Sequence, residues 1–202
     1  AANEAARYYD VTLSNPGTIT LDMSPQIDSL TIAGAQSALV IGAPYTLEVV
    51  LDTMFSAGTL AMAGGTLTIG GNYTQTGGLL HFQLAPGAGG RITVADTATL
   101  GGTLGVTVTP GLYGLSTRYA LLTAGVISGQ FAQFASQFLQ PSAFLSLSGP
   151  FYNPTSVDVT LTRTPFGALA GLNGNQRAVG NALESAYATT LIAYVIGRWH
   201  LF

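Results

Sequence analysis

A short apolar pair recurs along this chain in step with itself. Leu39/Ile41, Leu60/Met62 and Leu80/Phe82 return at near-equal intervals, and Leu47/Val49, Leu67/Ile69 and Ile92/Val94 repeat the same rhythm a few residues later. Each pair sits in a segment of alternating apolar and polar residues, the pattern of a strand with one buried face. Gly, Pro, Asn or Asp bound the segments, as turns between strands require. A return to the same face after roughly 20–25 residues marks a solenoid, whose coils bury their apolar edges only against their neighbours. An antiparallel sandwich also has short strands, but its hairpins favour Asn-Gly or Asp-Gly turns. Residues 11–109 contain neither dipeptide. The expectation is a parallel β-helix with about four to five coils over residues 11–109.

Composition bears on what covers such coils. Only 7% of residues are charged, against about 25% in an average soluble domain. The six basic residues are all Arg, and Gly accounts for 26 positions. A bilayer-spanning helix needs roughly 18 apolar residues in a row. Leu191–Ile196, the longest apolar stretch, is far shorter. The reading is a β-rich protein with a solvent face of Thr, Ser, Gln, Asn and Gly. A net charge of −3 with scattered arginines offers nothing to nucleic acid. The absence of Cys excludes disulfides and thiolate metal sites. Ala1-Ala2-Asn3-Glu4 lacks the basic start and apolar core of a signal peptide, and Asn3 to Tyr9 reads as a short helix.

The texture changes after Thr109-Pro110-Gly111. Leu112-Tyr113 leads into Tyr119–Phe131, and aromatics become dense at Phe131, Phe134, Phe138, Phe144, Phe151 and Tyr152. The spacing of Phe131, Phe134 and Phe138 suits a helix or loop with its rings inward. An open solenoid end exposes unpaired strand edges and needs a cap, and this block has the composition of one. A last strand runs through Val157–Leu161. Asn173-Gly174-Asn175 then caps a helix over Gln176–Tyr187, with Val179, Ala182, Leu183 and Ala186 on one face. Residues 188–202 fit neither pattern. The chain thus divides into coils at 1–109, a cap at 110–165, and a linker helix with an atypical tail at 166–202.

Four motifs, in order, resemble the C-terminal part of autotransporter passenger domains, the type V secretion family of Gram-negative bacteria. They are the rung Gly71-Asn72-Tyr73-Thr74-Gln75 before Leu80–Leu84, Asp96 before Leu100-Gly101-Gly102-Thr103-Leu104, and the cap series Tyr119, Leu121, Leu122, Ala124, Gly125, Ile127, Gly129, Phe131. The fourth is Asn175–Leu183, similar to the start of the helix that threads the membrane barrel. The likeness covers roughly residues 60–187 well and 11–60 loosely. Ala188–Phe202 departs from the family pattern, and these 202 residues do not include the family's translocator barrel. The resemblance implies an all-β, right-handed parallel β-helix of the pectin-lyase type with an aromatic-rich C-terminal cap and a short C-terminal helix. It implies a non-catalytic, barrel-proximal fragment of a passenger, acting as folding core and stalk of an adhesin-like protein that is secreted or held at the cell surface. The implied partners are the outer-membrane translocator barrel and a host-surface or polysaccharide ligand. The exposed N-terminal coil edge is expected to self-associate.

The alternative is a polymer-degrading hydrolase or lyase acting on a polysaccharide, with an ester as the lesser substrate. Glycosidases place two carboxylates at a set separation, and Asp28, Glu48 and Asp52 lie near one coil apart, a spacing that could stack them. A Ser-His-Asp triad would need His81 or His200. His81, between Leu80 and Phe82, is expected to point into solvent. Ser116 lacks the second Gly of a nucleophile elbow. Thr66/Thr68 and Thr107/Thr109 read as outward strand formers rather than an ice-binding face. Gly87–Gly90 is a loop between coils, because no Gly-Lys-Ser/Thr follows it. No cofactor or metal motif is present.

Overall fold

The computed structural model describes residues 9–199, with side chains through Thr190. The expected helix at Asn3–Tyr9 and His200 therefore lie outside the described residues, apart from Tyr9. Three long sheets run the length of the molecule. The first stacks strands Asp10–Leu13, Ser29–Ile32, Thr53–Phe55, Tyr73–Gln75, Thr97–Leu100 and Val126–Gly129. The second stacks Gly17–Thr20, Ser37–Gly42, Thr59–Ala63, Leu79–Ala85, Thr103–Val108 and Gln133–Phe138. The third stacks Gln26–Ile27, Thr46–Val49, Thr66–Ile69, Arg91–Val94, Ser116–Thr123, Ser156–Arg163 and Leu145–Asn153. Apart from one small hairpin near Gly87, consecutive strands fall in different sheets and neighbours within a sheet are parallel until the cap. The chain is a β-solenoid with about four full coils ahead of its cap.

The recurrent pairs set the register. Leu39 lies opposite Leu60, Leu60 opposite Leu80, and Leu80 opposite Leu104. Leu47 lies opposite Leu67, and Leu67 opposite Ile92. All of these side chains are buried. A one-residue slip would turn every one of them outward, so alternation within each strand fixes the stacking. Each fully buried Leu or Ile contributes about 1.5–3 kcal/mol.

The corners between the first and second sheets explain much of the glycine content. Gly102 has φ +61°, and a Cβ there would lie 2.5 Å from the carbonyl oxygen of Gly77 one coil away. Gly58, at φ +85°, would clash in the same way with the Gly34 carbonyl. Only a residue without a side chain permits both the backbone turn and this approach.

Near Gly87 a two-residue antiparallel pairing, Leu84↔Gly89 and Ala85↔Ala88, raises a small hairpin from the coil. The Gly-rich stretch is thus part of a hairpin inside one coil, rather than a loop between coils. At the far end Ser156–Arg163 pairs antiparallel with both Ser116–Thr123 and Leu145–Asn153. Val157, Val159 and Leu161 are fully buried there, and Phe134, Phe138, Leu145, Leu147 and Tyr152 pack against the core. Phe134 and Phe138 belong to the strand Gln133–Phe138, where positions four apart share a face. Helical spacing was the wrong reading of them. The C-terminal helix spans Gly174–Trp199 and so continues past Tyr187 through most of the stretch expected to be irregular. No described helix is long and apolar enough to cross a membrane.

Candidate functional site: the acidic corner, the open end and the cap–helix clamp

Asp28 and Asp52 come together at one corner, where the chain passes from the third sheet to the first. The amide of Leu51 donates to the Asp28 carbonyl at 2.8 Å, and that of Leu30 to the Asp52 carbonyl at 3.2 Å. Their carboxylates bind the backbone of adjacent coils. Asp28 Oδ2 accepts the Tyr9 amide. Asp52 Oδ1 accepts the Asn72 amide at 2.7 Å and its Nδ2 at 3.2 Å. Asn72 continues the column by accepting the Thr97 amide at 3.3 Å. Turn amides that no strand satisfies are thus closed by short Asx side chains. Glu48 lies elsewhere, exposed on the strand Thr46–Val49 between Gln26 and Thr68. The spacing thus stacks two of the three acids and leaves the third apart. No group of three or more metal-ligating side chains occurs among the described residues.

His81 faces outward but is half-buried, with Nε2 2.8 Å from Thr107 Oγ1. Burial pushes its pKa below the ordinary histidine value. Ser116 begins the strand Ser116–Thr123 and is exposed.

The two ends of the solenoid differ. At the N-terminal end the inward positions of the first coil lack the cover their successors have. Ile19 is 47% exposed, whereas Leu39 opposite it is 3% exposed. Val11 and Leu13 are half-buried, while their partners Leu30 and Ile32 are buried. At the other end the cap closes the interior, and the C-terminal helix is fastened to the cap.

The fastening centres on Arg163, which is 5% exposed. Its guanidinium forms a bidentate pair with Glu184, Nη1 to Oε2 at 2.9 Å and Nη2 to Oε1. Its Nε donates to the Tyr113 carbonyl at 3.1 Å. The guanidinium also lies 4.3 Å from the Tyr187 ring centroid and 5.5 Å from that of Phe166, within cation–π range. Tyr187 Oη accepts the Tyr113 amide at 2.6 Å and donates back to its carbonyl at 3.1 Å. Phe166 stacks edge-on against both Phe144 and Tyr187. Gly180 abuts Gly167 so closely that a Cβ at Gly180 would come within 2.7 Å of the Gly167 backbone. The hydrogen bond from Arg163 holds the Glu184 carboxyl below its ordinary pKa.

The helix therefore docks through Gly180, Glu184 and Tyr187, while Val179 and Leu183 are 60% and 54% exposed. Hydropathy singled out the solvent-facing side instead. The signal for the clamp was parity: Val157, Val159, Leu161 and Arg163 alternate in one strand, which puts the Arg on the buried side.

With this geometry the molecule is a capped β-solenoid. No family model, curated protein or solved structure matches the chain.

Proposed function

We propose that this chain is the non-catalytic, barrel-proximal part of an autotransporter passenger, a folding core and stalk for a secreted or surface-held adhesin-like protein of a Gram-negative bacterium. The observation that carries the reading is the asymmetry of the ends. One end is closed by three antiparallel strands and a clamped helix, and the other, among the described residues, presents an uncovered apolar coil edge. Such an edge offers unpaired strands in all three sheets, on which a further coil would stack. In isolation the same edge would take a second copy of the chain. In this reading the motifs Tyr73–Leu84, Tyr119–Phe131 and Asn175–Leu183 set the orientation, with the helix leading to the translocator barrel. The ligand, whether a host surface or a polysaccharide, would be met by coils beyond the open end. The experiment fuses the chain ahead of an autotransporter translocator barrel in a Gram-negative host and measures surface exposure by protease accessibility on intact cells. The expected result is efficient display that falls sharply when residues 110–165 are deleted. Equal display of both forms would overturn the proposal.

A further inference from the structure

We propose that the groove between the strands Arg91–Val94 and Ser116–Thr123 binds a small hydroxylated carboxylate of the sugar-acid type. These strands are neighbours in the third sheet, yet they pair only at Ile92↔Leu122 and Thr93↔Thr123. Arg91–Val94 has four residues against eight in Ser116–Thr123, so the first half of the longer strand runs on past the shorter one. A bulge between Ala120 and Leu122 lies where this pairing ends. A bulge bends its strand, and the unpaired first half forms the other wall of the groove. The gap is a cavity of about 510 Å³ walled on one side by the Gly87–Gly90 hairpin. That volume suits a small ligand.

The lining chemistry selects the ligand. Two of the chain's six arginines, Arg91 and Arg118, line the groove, and no Asp or Glu does. Thr93, Thr117 and Thr123 line it as well. Arg118 is held in place by Asp158, which is 1% exposed. Asp158 Oδ2 accepts Arg118 Nη2 at 2.6 Å, Asn153 Nδ2 at 2.6 Å and Ser156 Oγ at 2.9 Å. A guanidinium has five N–H donors, so this anchor occupies one corner of the fork. Asp158 balances the charge of Arg118, and Arg91 supplies the net positive charge. A carboxylate matches the planar guanidinium fork, and ligand hydroxyls match the threonines.

The test is an NMR titration of the isotopically labelled full chain with D-gluconate, with neutral sorbitol and inorganic phosphate as comparisons. Gluconate is expected to shift the amides of 87–93 and 117–120 saturably, with sorbitol silent at the same concentrations. Arg91 makes no side-chain hydrogen bond among the described residues, so Arg91→Gln is the primary variant, and an unchanged melting temperature confirms its fold. It should weaken gluconate binding about tenfold, the loss of one charge-assisted contact. Arg118→Gln would leave the buried Asp158 carboxylate without its counterion and serves only as a second variant. The proposal is overturned by an absent or unsaturable gluconate response, by sorbitol binding equally, by phosphate binding without gluconate, or by affinity unchanged in Arg91→Gln.

Discussion

Tyr73 and Gln75 show how a solenoid interior admits polar groups. Both are buried, and Tyr73 Oη donates to Gln75 Oε1 at 2.7 Å. Gln75 Nε2 in turn donates to the Gly77 carbonyl at 3.1 Å, closing the next corner. Burial drives the Tyr73 phenol far above its ordinary pKa, so it remains a donor. Tyr73→Phe keeps the ring and strands the Gln75 oxygen, and should lower unfolding free energy by about 1–3 kcal/mol in chemical denaturation. His81 gives a pH signature. Its folded pKa lies below the unfolded value of about 6.5, so the folded state resists protonation. Stability is therefore full above about pH 6.5 and declines as pH falls from there toward the folded pKa. His81→Gln should flatten the melting temperature across that window. The outward parity of His81 was legible from Leu80 and Phe82. Its half-burial was not, because Thr107 reaches it from the next coil.

Among elements, two of the three sheets were legible because their inward columns are almost entirely apolar. The first sheet was legible only in its first two strands, at Val11/Leu13 and Leu30/Ile32, since Thr53, Tyr73, Gln75 and Ala98 occupy buried positions further along. No hydropathy rhythm survives such a column, although register alone would place it. The helix was legible as far as Tyr187. Beyond it, Thr189 and Thr190 are weak helix formers, yet their hydroxyls bond the Ser185 and Ala186 carbonyls one turn back, which accommodates them. The clamp depended on a contact between Arg163 and Glu184 that spacing does not reveal. Glu184→Gln leaves the Arg163 charge buried without its counterion, and should cost about 2–3 kcal/mol. Limited proteolysis should then open sites within 174–190. In the native chain the depressed Glu184 pKa makes the clamp a neutral-pH contact. It is complete above the ordinary carboxylate range and is lost as pH falls through the lowered Glu184 pKa.

For the whole molecule, stability should be graded along the solenoid axis. Each coil is stabilised mainly by its two neighbours. The coils next to the cap have a neighbour on both sides, and among the described residues the first coil has only one. Local opening energies should therefore rise from the open end toward the cap. The capped polarity was legible in sequence as a change of texture after Thr109, while the uncovered state of Ile19, Val11 and Leu13 required the stacking. Amide hydrogen exchange on the full chain tests this polarity most directly. The expected result is slowest exchange in Leu79–Ala85, Thr103–Val108 and Ser156–Arg163, and fastest among the strands in Asp10–Leu13 and Gly17–Thr20. Uniform protection along the axis, or a gradient running the other way, would contradict the account.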